Sequence, residues 1–179
     1  MWKKWVTIHD TEDPATFALL RRKPHGWMFW GSFAGGKKGP CFFWEKEYGG
    51  INAEKYVSLI LPLVHTFYLT AGCSLFQQDN APSHRANYTR QTIAEMGINL
   101  LRWPANSPDL NPIENVWFWM KAWIESHYPD LQHLSNDELR YVIDEAWEAI
   151  PEDFLRELAR GMPKRLQMVI DENGGSIPY

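Results

Sequence analysis

The chain has 179 residues, with 18 Lys and Arg against 22 Asp and Glu for a formal charge of −4, and is 45% hydrophobic and 22% charged. That balance fits one globular domain able to bury about 70% of its unfolded surface, and it excludes a disordered chain. It also excludes a free-standing basic nucleic-acid binder, and no run of about 18 apolar residues offers a membrane span. The opening MWKKWVTIHDTED lacks the apolar core of a signal peptide. Cys41 and Cys73 do not make a disulfide framework, which points to a reducing compartment.

The first third reads as strands. Trp5–Ile8 is rich in β-formers and runs into Asp10 and Asp13; residues 16–20 (TFALL) are a second candidate. Residues 27–33 (WMFWGSF) form a strong apolar run, residues 34–39 (AGGKKG) a hairpin signal, and residues 40–44 (PCFFW) the partner strand. Core packing accounts for these aromatics.

Asn52 is placed to cap a helix whose apolar face is Tyr56, Leu59, Ile60, Leu63, Val64 and Phe67, with Pro62 expected to kink or split it. Residues 73–77 read as a buried strand ending at Asp79. A helix starts near Pro82 and stops before Gly97, and residues 98–101 form a short strand. After a proline-bearing loop, Ile113, Val116, Trp117, Met120, Trp123 and Ile124 make the face of a long helix. Ser135 and Glu138 form a capping box ahead of an amphipathic helix with Leu139, Val142, Ile143, Ala146 and Ile150 inward. Two short helices follow, near residues 154–160 and 164–170. Strands, helix, strand, helix, strand and then helices make an α/β domain with a mixed sheet, antiparallel first and then with crossovers.

Two carboxylates sit at informative places. Asp79 ends a strand in FQQDNAPSH, where open α/β sheets gather their catalytic groups. Glu114 opens a helix in SPDLNPIENVW, with 34 residues between the two. A helix, a strand and a loop fit that gap, so both can converge on one point. Converging carboxylates suit Mg²⁺ or Mn²⁺, and two ions about 3.5–4 Å apart stabilise the attacking and leaving oxygens of phosphoryl transfer. The plainer alternatives stay open at this level. With Asn111 as cap and Pro112 as first residue, Glu114 at the third position is ordinary helix-start chemistry, and Asp79 can simply begin a turn.

FQQDNAPSHRA followed by GINLLRWPANSPDLNPIENVWFWMK resembles the catalytic domain of the mariner superfamily of DDE transposases. WMFWGSFAGGKKGP, NAEKYVSLI and the C-terminal AWEAIPEDFLRELARGMPKRLQMVIDENGG resemble that family in the same order, from about residue 21 to the end. The resemblance implies a ribonuclease H-like fold, a mixed sheet flanked by helices, over a single catalytic domain spanning 1–179 with an atypical first stretch 1–20. It implies metal-dependent DNA cleavage and strand transfer, with Mg²⁺ or Mn²⁺, two ions, held by three carboxylates. Asp79 matches the second and Glu114 the third. The family's Ser-Asp-Glu type motif for the first is missing, and Asp10 is the best positional candidate, with Asp13 behind it. Asn80, His84 and Asn111 lie beside the matching motifs as substrate-binding candidates; Asn115 neighbours them. His84 either orients a neighbour, contacts substrate or is structural.

The family's helix-turn-helix modules are absent, so the chain reads as N-terminally truncated. The implied partners are DNA, both transposon ends and target, with a homodimer as a further option, and the implied location is the nucleus. Arg21, Arg22, Lys23, Lys37 and Lys38 either touch phosphates or keep the sheet edge soluble. His9, His25, His65, His127 and His133 show no metal-ligand spacing. A remnant that keeps the fold and loses the reaction is the rival reading. A ribonuclease for RNA–DNA hybrids shares fold and ions, and SPDLNPIEN counts against it.

Overall fold

The computed structural model describes residues 28–102, 104, 107–129, 134–175 and 177–178. Trp5–Ile8, residues 16–20, Asp10, Asp13, Arg21, Arg22, Lys23, His9, His25 and His133 lie outside them.

Strands β1 (Met28–Ala34) and β2 (Lys37–Trp44) form an antiparallel hairpin with Met28 opposite Trp44 and Ala34 opposite Lys37. Gly35 sits in the turn at φ +57, a conformation that a side chain disfavours. The two-residue alternation of the strands decides the layering. Phe29 packs with Val116, Met120, Ile143 and Trp147 on one face, joined by Phe33, Cys41 and Phe43. Trp30 packs with Tyr56, Ile60, Ile93 and Ile98 on the other, joined by Phe42. The aromatics of the hairpin are therefore core, as their spacing predicts, and helices cover both faces.

Asn52 caps the next helix as expected, its side chain accepting the Lys55 N–H at 2.9 Å. Helix α1 (Ala53–Lys55) widens into a π-helical segment (Tyr56–Ile60) before α2 (Leu61–Thr70). Pro62 falls in the first turn of α2, and the helix predicted to run on from Asn52 is interrupted just ahead of it, in line with the expected split. The wide turn just before it, closed by Leu61 N–H on Tyr56 O, absorbs the missing proline N–H.

Residues 73–77 differ from expectation. Ser74 and Leu75 are exposed, Leu75 by 47%, and the others only half-buried; the stretch pairs through one parallel bridge, Phe76 with Leu100. The bridge is flanked by Phe76 N–H on Asn99 O (2.8 Å) and Leu101 N–H on Phe76 O (2.7 Å). Among the described residues the sheet is thus the antiparallel hairpin plus this parallel contact. The helix between the bridged residues breaks at Ala86, whose backbone is extended, into α3 (Pro82–Arg85) and α4 (Asn87–Glu95). Side chains take up carbonyls at the break: Thr89 donates to Ser83 O and Arg90 to Arg85 O.

Helices α5 (Ile113–His127) and α6 (Asn136–Glu148) pack against each other and β1. Val116, Met120 and Ile124 of α5 are buried, and so are Leu139, Val142, Ile143, Ala146 and Ile150, all at the predicted spacing. The Ser135–Glu138 capping box is formed in both directions. Helices α7 (Glu152–Arg160) and α8 (Met162–Asp171) complete the described chain. None of the described helices is long and apolar enough to cross a membrane.

Candidate functional site

Asp79, Glu114, His84 and Asn111 line one cleft of about 1370 Å³ that runs along β1. The elements that bring them there are separate. Asp79 follows the bridged Phe76, and Glu114 stands in the first turn of α5. The 34-residue interval is filled by α3, α4, the Leu100 bridge and the Pro108–Leu110 turn, as the spacing implies.

Asp79 is fixed in orientation. Its Oδ1 accepts the Ala81 N–H at 2.9 Å and lies 2.6 Å from His84 Nδ1. The turn alternative for Asp79 is therefore realised in the Ala81 N–H contact. Burial works against its charge, while hydrogen bonding and the charge of His84, with the Ala81 N–H, work for it. The carboxyl is held well below the usual range. His84 itself is 4% exposed, and the ring of Tyr56 packs on it at 4.3 Å between centroids. Tyr56 is fully buried and its hydroxyl donates to Gln78 Oε1 at 2.7 Å. Burial, then the charge on Asp79, keep that phenol protonated.

Glu114 is exposed in the cleft. Asn111 is extended and its backbone carbonyl, not its side chain, opens α5 by accepting the Glu114 N–H at 3.0 Å. The helix starts at Ile113, one residue later than predicted, because the first bonds are tight i→i+3 ones: Glu114 N–H goes to Asn111 O and Asn115 N–H to Pro112 O (3.2 Å), so Asn111 O does not open the i→i+4 ladder. Asn80 is not among the residues that line the cleft, and its amide reaches the Pro104 carbonyl at 3.4 Å. Lys37 lines the cleft, whereas Lys38 is held by the Glu148 carboxylate at 3.1 Å. His127 stacks on Trp123 at 4.0 Å, a structural place.

Two hard oxygen ligands facing one cleft, one of them held ionised, fit a divalent cation such as Mg²⁺ or Mn²⁺. Among the described residues no group of three or more His, Cys, Asp or Glu is placed to hold a metal. Asp10 lies outside them. Three contacts around the site went unread in the sequence: Gln77 with Leu110 O, Arg165 with Asp109 O, and Tyr56 with Gln78. Gln77 and Gln78 stand within a quoted motif but carry no pattern of their own, and a lone arginine in an amphipathic helix gives no sign of burial.

Fold and site together define a class: an α/β domain with helices on both sheet faces and two acidic residues from separate elements lining one cleft. The comparisons place it within that class. Residues 21–135 match the family of the DDE superfamily endonuclease. The Tc3 transposase of Caenorhabditis elegans is 36% identical over 155 residues, covering 85% of this chain and 45% of the relative. The Tc1 transposase of the same nematode is 37% identical over 105 residues, 59% of this chain and 37% of the relative. The chain spans less than half the length of these curated relatives. Among solved structures, the Mos1 transposase catalytic domain with Raltegravir and Mn superposes with a TM-score of 0.71 at 20% identity, over 85% of this chain and 78% of that one. A Mos1 paired-end complex with the left transposon end gives 0.74 at 22% identity, over 98% and 52%. The fold is therefore the ribonuclease H-like fold of that catalytic domain. The chain belongs to the DDE superfamily endonucleases.

Proposed function

We propose that this chain carries the metal-dependent DNA cleavage and strand-transfer chemistry of a DDE transposase. One observation carries the reading: Asp79 and Glu114, from separate elements and the two family motifs, line the same cleft. Asp79, oriented by His84 and the Ala81 N–H, and Glu114, at the start of α5, would hold Mg²⁺ or Mn²⁺, two ions, with Asp10 as third carboxylate. The bound ions supply activation of the attacking oxygen and stabilisation of the leaving one. The residues themselves orient: His84 fixes the Asp79 carboxylate plane, and α5 presents Glu114 into the cleft. Lys37 and Asn111, also lining the cleft, are placed to meet a phosphate backbone. The partners we assign are transposon-end and target DNA, with a second copy of the chain as a further partner and the nucleus of a eukaryotic host as the place of action. The transposase relatives and the Mos1 complexes named above support DNA as the substrate.

The test is Mn²⁺ calorimetry together with nicking of transposon-end DNA that still carries its flanking sequence, on the wild type and on Asp79→Ala, Glu114→Ala and Asp10→Ala. The reading expects metal binding and nicking in the wild type and loss of both in Asp79→Ala and Glu114→Ala. Loss in Asp10→Ala as well gives the third carboxylate. A wild type that neither binds Mn²⁺ nor nicks DNA sinks the enzymatic reading and leaves the remnant that keeps the fold alone.

A further inference from the structure

We propose that Gln77 and Arg165 are positioning residues that hold the Pro108–Leu110 turn from two sides and so set where Glu114 stands relative to Asp79. The inference rests on the metal-dependent reading above and deepens it. Gln77 lies two residues before Asp79, and Leu110 four residues before Glu114. The Gln77 Nε2 donates to the Leu110 carbonyl at 2.9 Å, so one hydrogen bond joins the approaches to both carboxylates. Leu110 is 3% exposed, which anchors the turn from below.

The other side is held by the C-terminal part of the chain. Arg165 of α8 is 2% exposed and donates from Nη1 to the Asp109 carbonyl at 3.2 Å. The Asp109 Oδ2 accepts the Ile177 N–H at 3.1 Å, tying the tail to the same turn. A buried guanidinium is costly to desolvate, and a carbonyl aimed at it recovers part of that cost. Helix α5 has no side-chain cap, so its own first turn does not fix its starting point. The fixing comes through the turn, from Leu110 to Asn111, whose carbonyl takes the Glu114 N–H. A divalent cation such as Mg²⁺ demands near-ideal ligand geometry at about 2.0–2.1 Å, so a loosened turn weakens binding even with both carboxylates present.

The experiment uses the full chain with Gln77→Leu, Arg165→Met and Arg165→Lys. Three quantities are read: thermal melting, hydrogen exchange of the Asn111 and Glu114 amides without metal, and Mn²⁺ affinity well below the melting temperature. The expected result for Gln77→Leu is near-wild-type melting, faster exchange confined to the turn, and Mn²⁺ affinity reduced about tenfold. Arg165→Met is expected to act in the same direction, and Arg165→Lys, which keeps a donor, to recover part of the affinity. Unchanged Mn²⁺ affinity in a folded Gln77→Leu that speeds exchange overturns the positioning role, and so does unchanged exchange. If Arg165→Met fails to fold, Gln77→Leu and Arg165→Lys decide. A wild type that binds no Mn²⁺ overturns the function reading and this one with it; a wild type that binds while all variants bind equally overturns this one alone.

Discussion

His84 Nδ1 lies 2.6 Å from Asp79 Oδ1 and 3.3 Å from the Asp79 backbone carbonyl, in a pocket that leaves the imidazole 4% exposed. Both of those oxygens accept, so Nδ1 carries a proton in every charge state of the ring. Nitrogen NMR of the His84 ring should therefore show a protonated Nδ1, and Asp79→Ala, which removes the carboxylate and leaves only the 3.3 Å backbone carbonyl, should weaken that preference. A ring protonated only at Nε2 would contradict the assigned geometry.

The same contact has a pH consequence. The Asp79 carboxyl is held below its ordinary value of 3.8, where burial opposes the charge and His84 with the Ala81 N–H favours it. A depressed folded value adds stability that is fully present above about 3.8 and is lost as pH falls below it. Asp79→Asn is expected to flatten the acid limb of a denaturant-midpoint profile below that pH and leave its neutral plateau in shape. An acid limb identical to wild type would show that Asp79 carries no such linkage.

Gly31 is where β1 meets the helical layer. A β-carbon built there stands 2.7 Å from Trp147 Cη2 and 3.0 Å from Trp117 Cη2. Trp147 belongs to the packed core around Phe29 and the half-buried Trp117 packs against it, so neither ring has free space to retreat into. Gly31→Ala is expected to destabilise the fold by about 1–3 kcal/mol in urea titrations. Combining it with Trp147→Phe should recover part of the loss, since the shorter ring vacates the contacted space; additive losses would argue against the clash.

Cys41 is pushed up to about 11 from an ordinary 9.0, by burial first and then by Asp144 and Glu148. The thiolate is the reactive form, so Cys41 should alkylate slowly at pH 8. Asp144→Asn with Glu148→Gln should speed it. The raised value also means that its contribution to stability holds below pH 9 and declines as pH rises from 9 towards 11. Mass-spectrometric labelling of Cys41 in wild type and double variant gives the comparison.

Helix α6 depends on its capping box. Ser135 accepts the Glu138 N–H at 3.3 Å, and the Glu138 carboxylate takes the Ser135 N–H at 2.7 Å. Ser135→Ala is expected to cost about 1 kcal/mol in chemical denaturation. Ser135→Asp, which restores an acceptor at the cap, should recover most of it.

What the sequence determined by itself is local and periodic. Alternation in β1 and β2, the spacing of Leu139, Val142, Ile143, Ala146 and Ile150, and the caps at Asn52 and Ser135 each depend on residues a few positions apart. The two carboxylates were legible too, because Asp79 and Glu114 each stand inside a run of residues specific enough to carry a resemblance. Tertiary structure alone decided how those runs meet. The break at Ala86, the π-helical turn that accommodates Pro62, and the single bridge between Phe76 and Leu100 answer to packing and to carbonyls that need partners. Gln77 on Leu110 and Arg165 on Asp109 join residues 33 and 56 positions apart. No periodicity records such contacts, because a hydrogen bond across the fold is specified by where two backbones come to lie and not by the order of residues along either one.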